Sequence, residues 1–131
     1  MEQQPIPEDI RRFILTSIPS VPHLEALLLL RANVQQGWRA ETVAGRLYIR
    51  DRLAQQLLDD LCKAGMAAPC LTEQESATYR YRPSSEALGS TIDQVAELYS
   101  KRLVDITHLI HSKLDRKAQQ FADAFKWRKD S

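Results

Sequence analysis

Glycine is scarce, with four in 131 residues. No Gly-rich loop is present to cradle a phosphate, and no nucleophile elbow or paired catalytic carboxylates stand in a pocket-like pattern. The chain is therefore not expected to be an enzyme, and no cofactor is expected. Cysteine is limited to Cys62 and Cys70, too few for a disulfide framework, which fits a reduced, cytoplasmic protein. Long apolar runs are missing: the longest, Ala26 to Leu30, falls far short of a membrane span, so no membrane partner is expected. Met1-Glu2-Gln3-Gln4-Pro5 lacks a basic stretch leading into an apolar one, so no secretory signal is read. Neither sign of charge is in excess. The net charge is +1, which gives no bulk attraction to nucleic acid or membrane.

Metal chemistry is weakly represented. His108 and His111 stand three apart, with Asp105 three residues earlier, so one helical flank carries three candidate ligands. A structural zinc site takes four, mostly sulfur or imidazole, so no metal is expected. His23 reads as an ordinary lone histidine. Cys62 reads as a small core filler beside Leu58 and Leu61. Cys70, on a candidate strand, has nothing near it that visibly lowers a thiol pKa.

What the sequence has is helix periodicity. Pro7-Glu8-Asp9 suits a helix start, and Ile10, Phe13, Ile14 and Ile18 recur at helical spacing. Pro19-Ser20 ends that helix, and Ser20 can cap a second over Val21 to Asn33. There Leu27 to Leu30 cover more than one face, as in a helix buried on several sides. A short helix follows over Ala40 to Leu47, with Val43, Ala44 and Leu47 inward. Tyr48-Ile49 turns the chain into a longer helix over Arg50 to Ala64. Its apolar stripe is Leu53, Ala54, Leu57, Leu58 and Leu61, and Gly65 is its C-terminal cap. Met66 to Leu71 and Thr78 to Pro83 read as two short, edge-like strands joined by a polar tip. The helical period returns after Ser84, with Leu88, Ile92, Val95, Tyr99, Leu103, Ile106 and Ile110 as its stripe. Asp115 starts a last helix with Ala118, Phe121, Ala122 and Phe125 inward.

Helices, a helix-turn-helix, a hairpin and a long helix, in that order, resemble a winged-helix domain. The terminal helices are similar to those of MarR-type transcriptional regulators. Trp38, Glu41, Val43, Ala44 and Leu47 match the first helix of the motif. Ile49 follows the turn, Leu57, Leu58 and Leu61 match the second helix, Gly65-Met66 leads into the wing, and Tyr79-Arg80-Tyr81 matches its returning strand. Ala44 is small enough for the two helices to approach closely. Tyr48 stands where the family often has glycine. The implied fold is mainly α with a small β-hairpin wing: a winged helix-turn-helix over residues 1–83, then long C-terminal helices over 84–131 as a dimerisation element.

The resemblance implies that the second motif helix reads the major groove of double-stranded DNA. On that reading Arg52 meets guanine and Gln55 or Gln56 meets adenine, beside Arg50. Arg39 and Arg46 hold phosphates, and Arg80 and Arg82 reach the flanking backbone. Charge argues the other way. Trp38 to Gly65 carries five basic residues against four acidic ones, and Glu73 and Glu75 sit at the predicted wing tip, where phosphates would repel them. Two readings therefore stand: a DNA-binding transcriptional regulator, and a winged-helix module that docks a protein partner in signalling or transcription without binding DNA.

One helix over Glu86 to Ser112 would be ~40 Å long, against ~30 Å for a compact domain of this size. It should protrude, break, or pack on another chain. Pairing in a homodimer would cover Ile92, Val95, Tyr99, Ile106 and Ile110, although Arg102 falls within that seam. The tail from Lys113 to Ser131 has six basic residues against three acidic ones, with Phe121, Phe125 and Trp127 interleaved.

Overall fold

The computed structural model describes residues 5–70 and 78–112. The expected wing tip with Glu73 and Glu75, the helix from Asp115 and the basic tail lie outside the described residues.

Helix α1 (Glu8–Ser17) buries Ile10 and Ile14, and Ile18 just beyond it is buried as well. Glu8 and Asp9 occupy its first turn, the positive end of the helix dipole. Helix α2 (Val21–Ala32) meets α1 at 107°. Ser20 caps it by accepting from the His23 amide, and Pro22 lies in the first turn, where no amide proton is needed. Leu24, Ala26, Leu27 and Leu30 are buried, with Leu28 and Leu29 packed against the same core. This is the central post expected from a helix apolar on several faces.

Helix α3 (Ala40–Leu47) buries Val43 and Ala44. Tyr48 then takes a left-handed conformation (φ 57, ψ 46), and the Ile49 amide donates to the Ala44 carbonyl at 3.0 Å. Helix α4 (Asp51–Lys63) buries Ala54, Leu57, Leu58 and Leu61. Leu53, expected in that stripe, is instead 41% exposed; it lies on the flank of the stripe, not its centre. Gly65 ends α4 at φ 75. Its amide donates to Cys62 and the Met66 amide donates to Leu61, a Schellman closure of the last carbonyls. A Cβ on Gly65 would come within 2.9 Å of Ser84 Oγ, so that side chain would have to turn away, and the positive φ favours glycine here.

Strands β1 (Ala67–Cys70) and β2 (Thr78–Tyr81) pair antiparallel, with Ala67 opposite Tyr81 and Pro69 opposite Tyr79. On its other side Tyr79 bridges Trp38. The Trp38 amide donates to the Tyr79 carbonyl at 2.6 Å, and the Tyr79 amide donates to the Trp38 carbonyl at 2.8 Å. Both backbone groups of Tyr79 thus turn toward Trp38, and Pro69 faces it at a position where no amide proton is needed. Trp38, matched in sequence to the first motif helix, is corrected to this extended bridge ahead of α3.

Helix α5 (Glu86–Lys101) is capped by Ser85, which accepts from the Leu88 amide at 3.1 Å. The long helix expected over Glu86 to Ser112 breaks at Arg102 (φ −134, ψ 50). A further helix, α6, occupies residues 103–112. The break lets Ile106 and Ile110 join one buried cluster with Ile92, Val95 and Tyr99, and with the cores of α1, α2 and α4. Those five, expected to lie open as a seam for a second copy, are corrected to core residues of the single chain. Leu103, expected in the same stripe, is 52% exposed, and Val104 beside it is 74% exposed.

Candidate nucleic-acid interface

Three elements converge on Tyr79. Its backbone holds Trp38 at the entry to α3, and its hydroxyl accepts from Gln55 Nε2 of α4 at 2.8 Å. Arg39 follows Trp38, Arg80 follows Tyr79, and Arg52 lies one turn before Gln55. All three guanidinium-bearing residues are exposed. Exposed arginines thus stand at the entry to α3, in the first turn of α4 and on the returning wing strand, where strand alternation turns Arg80 to the sheet face opposite the Tyr79 side chain.

Arg50 occupies the N-cap position of α4 without making a side-chain capping bond. Arg50 and Arg52 are exposed, and their side chains have no hydrogen bond or ion pair among the described residues. Arg46 is exposed and lies over the Trp38 ring, 5.8 Å from its centroid, a cation–π arrangement that still leaves its charge toward solvent. Arg80 and Arg82 line a shallow depression with Val34 and Gln35.

The glutamines behave differently from their expected role. Gln55 is half-buried and donates to both the Tyr79 hydroxyl and Asp59 Oδ1, the latter at 3.0 Å. Its amide hydrogens are committed within the chain, so Gln55 serves as a brace between α4 and the wing. Gln56 is exposed, yet donates to Asp60 Oδ1 at 2.9 Å. These two amides satisfy hydrogen-bonding capacity of Asp59 and Asp60 but leave their negative charge in place. What α4 presents without internal partners is its N-terminal end, where Asp51 is the accompanying acid.

Asp60 also accepts from His23 Nε2 at 2.7 Å, while His23 Nδ1 meets Ser20 Oγ at 2.5 Å. This bond, more than the opposing burial, holds the Asp60 carboxyl below its ordinary range, and the Gln56 bond adds to it. His23, read as ordinary in the sequence, thus ties the start of α2 to α4. The partners are 37 residues apart, and no local pattern announces such a contact.

The remaining chemistry-bearing residues do not converge. Cys62 is half-buried, and burial raises its thiol pKa, with Asp59 adding to the effect. His108 lines a separate groove between the start of α1 and α6, together with Arg11, Arg102 and Asp105. Among the described residues no three His, Cys, Asp or Glu side chains are grouped so as to hold a metal ion, and no single helix is long and apolar enough to cross a membrane.

No family model and no curated protein matches the chain. Solved structures do. The homodimeric winged helix-turn-helix DNA-binding domain Mb0332 from Mycobacterium bovis has a TM-score of 0.53 at 19% identity, covering 79% of this chain and 94% of that one. The MepR–DNA complex of S. aureus has a TM-score of 0.54 at 12% identity, covering 91% and 86%. A MarR family protein from Bacillus stearothermophilus has a TM-score of 0.53 at 16% identity, covering 88% and 84%. The fold of this chain is a winged helix, mostly helical with a two-stranded antiparallel wing.

Proposed function

We propose that the protein is a transcriptional regulator of winged-helix type that binds double-stranded DNA as a homodimer. The N-terminal turn of α4 enters the major groove. On this reading Arg52 bonds guanine O6 and N7, while Arg50, Arg39 and Arg46 hold phosphates and the wing residues Arg80 and Arg82 hold the flanking backbone. The observation that carries this reading is the pair Arg50 and Arg52, both exposed and both without a partner among the described residues. The likeness to a MepR–DNA complex supports it. A second copy doubles every contact and sets two α4 helices against two half-sites. Because Ile92, Val95, Tyr99, Ile106 and Ile110 are already covered, we assign the contact between copies to the α6 face bearing Leu103 and Val104.

Retention of genomic fragments at low and moderate salt tests the reading. Binding at low salt that is lost on Arg52→Ala combined with Arg80→Ala is the expected result. No retention at low salt would instead favour the protein-docking module.

A further inference from the structure

Tyr48 is the only non-glycine residue with a positive φ among the described residues. That conformation crowds a Cβ against the following carbonyl, and glycine adopts it freely. The side chain recovers nothing within its own chain. It is 94% exposed and makes no hydrogen bond or ring contact among the described residues. On one side it rims a groove of about 310 Å³ walled by Val21, Pro22, Leu47 and Ile49, with Glu25 and Arg46 at the edge. On the other side the chain passes at once to Arg50 and α4. The Glu25 carboxylate is already engaged, accepting from the Tyr99 hydroxyl at 2.6 Å.

We propose that Tyr48 grips the sugar–phosphate backbone of duplex DNA at the edge of the α4 contact. Its phenolic O–H donates to a phosphate oxygen and its ring lies against the adjoining sugar. Arg46 and Arg50, each two residues away and exposed, take the phosphates on either side. Neutral hydroxyl donors are regular phosphate partners, and two flanking guanidinium groups favour a polyanion over an apolar peptide. This inference rests on the DNA-binding reading above.

The test uses a duplex selected from a random library by the full-length wild-type protein. Thermal midpoint and affinity across a salt series are then measured for wild type, Tyr48→Gly, Tyr48→Phe and Arg50→Ala. Tyr48→Gly is expected to melt at or above the wild-type temperature, because strain is relieved. It should nonetheless bind about tenfold more weakly, because both the hydroxyl's hydrogen bond and the ring's contact with the sugar are lost. Its salt dependence should match wild type, since no charge is removed, whereas Arg50→Ala should lower the slope by about one. Tyr48→Phe should weaken binding about threefold or more through loss of the hydroxyl alone. If Tyr48→Gly melts lower than wild type, the near-isosteric Phe variant decides the matter. Wild-type affinity in Tyr48→Gly and Tyr48→Phe, with Arg50→Ala weakened, would remove Tyr48 from the DNA contact and leave its groove to a protein partner. Failure of the wild type to select any duplex at low salt would overturn both the inference and the reading beneath it.

Discussion

The Gln55 amide donates to the Tyr79 hydroxyl at 2.8 Å, fastening α4 to the returning strand of the wing. A side chain that sequence places among base readers is therefore a structural brace. The candidate reading surface contracts to the first turn of α4, with the wing held at a fixed distance from it.

Removing this brace should weaken the fold without changing which bases are preferred. Gln55→Ala and Tyr79→Phe are each expected to cost about 1 kcal/mol in chemical denaturation. The double variant should cost less than the sum, because the two share one bond. Binding-site selection with Gln55→Ala should return the wild-type preference, while Arg52→Ala should relax it at one position.

Acid should loosen the joint between α2 and α4. The Asp60 carboxyl lies below its ordinary value of 3.8, chiefly because His23 donates to it. A depressed carboxylate contributes stability that is complete above its unfolded value and lost as pH falls through its folded value. Melting temperature should therefore drop on acidification below about 4, with a smaller drop in Asp60→Asn. Equal acid dependence in the two proteins would remove Asp60 from the account.

Alkali should act through Tyr99. Burial, then its hydrogen bond to Glu25, pushes this phenol up from 10 to about 12. A raised value means the folded state holds the proton more tightly, so the contribution is intact below pH 10 and is lost between 10 and 12. Burial also raises the Tyr81 phenol, so absorbance titration of tyrosinate should show a late-titrating component that Tyr99→Phe reduces by one group. The same variant should soften the alkaline fall in stability.

Two charge insertions should separate core from contact surface. Val95→Glu places a carboxylate in a completely buried site and should prevent folding of the single chain, a penalty of several kcal/mol. Val104→Glu acts on an exposed residue. Its helical signal and melting at high dilution should match wild type, while sedimentation shifts toward the monomer mass. A folded monomeric Val95→Glu would return the stripe to the seam between copies.

Local signals were well recorded in the sequence. The periodicity and caps place α3 at its observed bounds and α4 within one residue at either end, and Ser20 and Gly65 do the capping their types suggest. Longer-range facts were not legible. Periodicity shows that Ile92, Val95, Tyr99, Ile106 and Ile110 share an apolar face, but not whether the same chain or a second one covers it. The answer depends on the break at Arg102, where neither glycine nor proline marks a stop and the side chain is instead held by Asp105 at 2.9 Å. The commitments of Gln55 and His23 depend on partners 24 and 37 residues away. Leu53 belongs to the right helix, but helical spacing alone does not fix how far around the helix burial extends.

The central claim is that the open arginines at the start of α4 bind phosphate-bearing duplex DNA. A salt titration of duplex binding, comparing wild type with Arg50→Ala combined with Arg52→Ala, tests it most directly. The account predicts a steep wild-type dependence of log affinity on log salt, with the slope reduced by about one in the double variant through Arg50 and a further loss of affinity at every salt concentration through Arg52. An unchanged slope, or no wild-type binding at low salt, would contradict it.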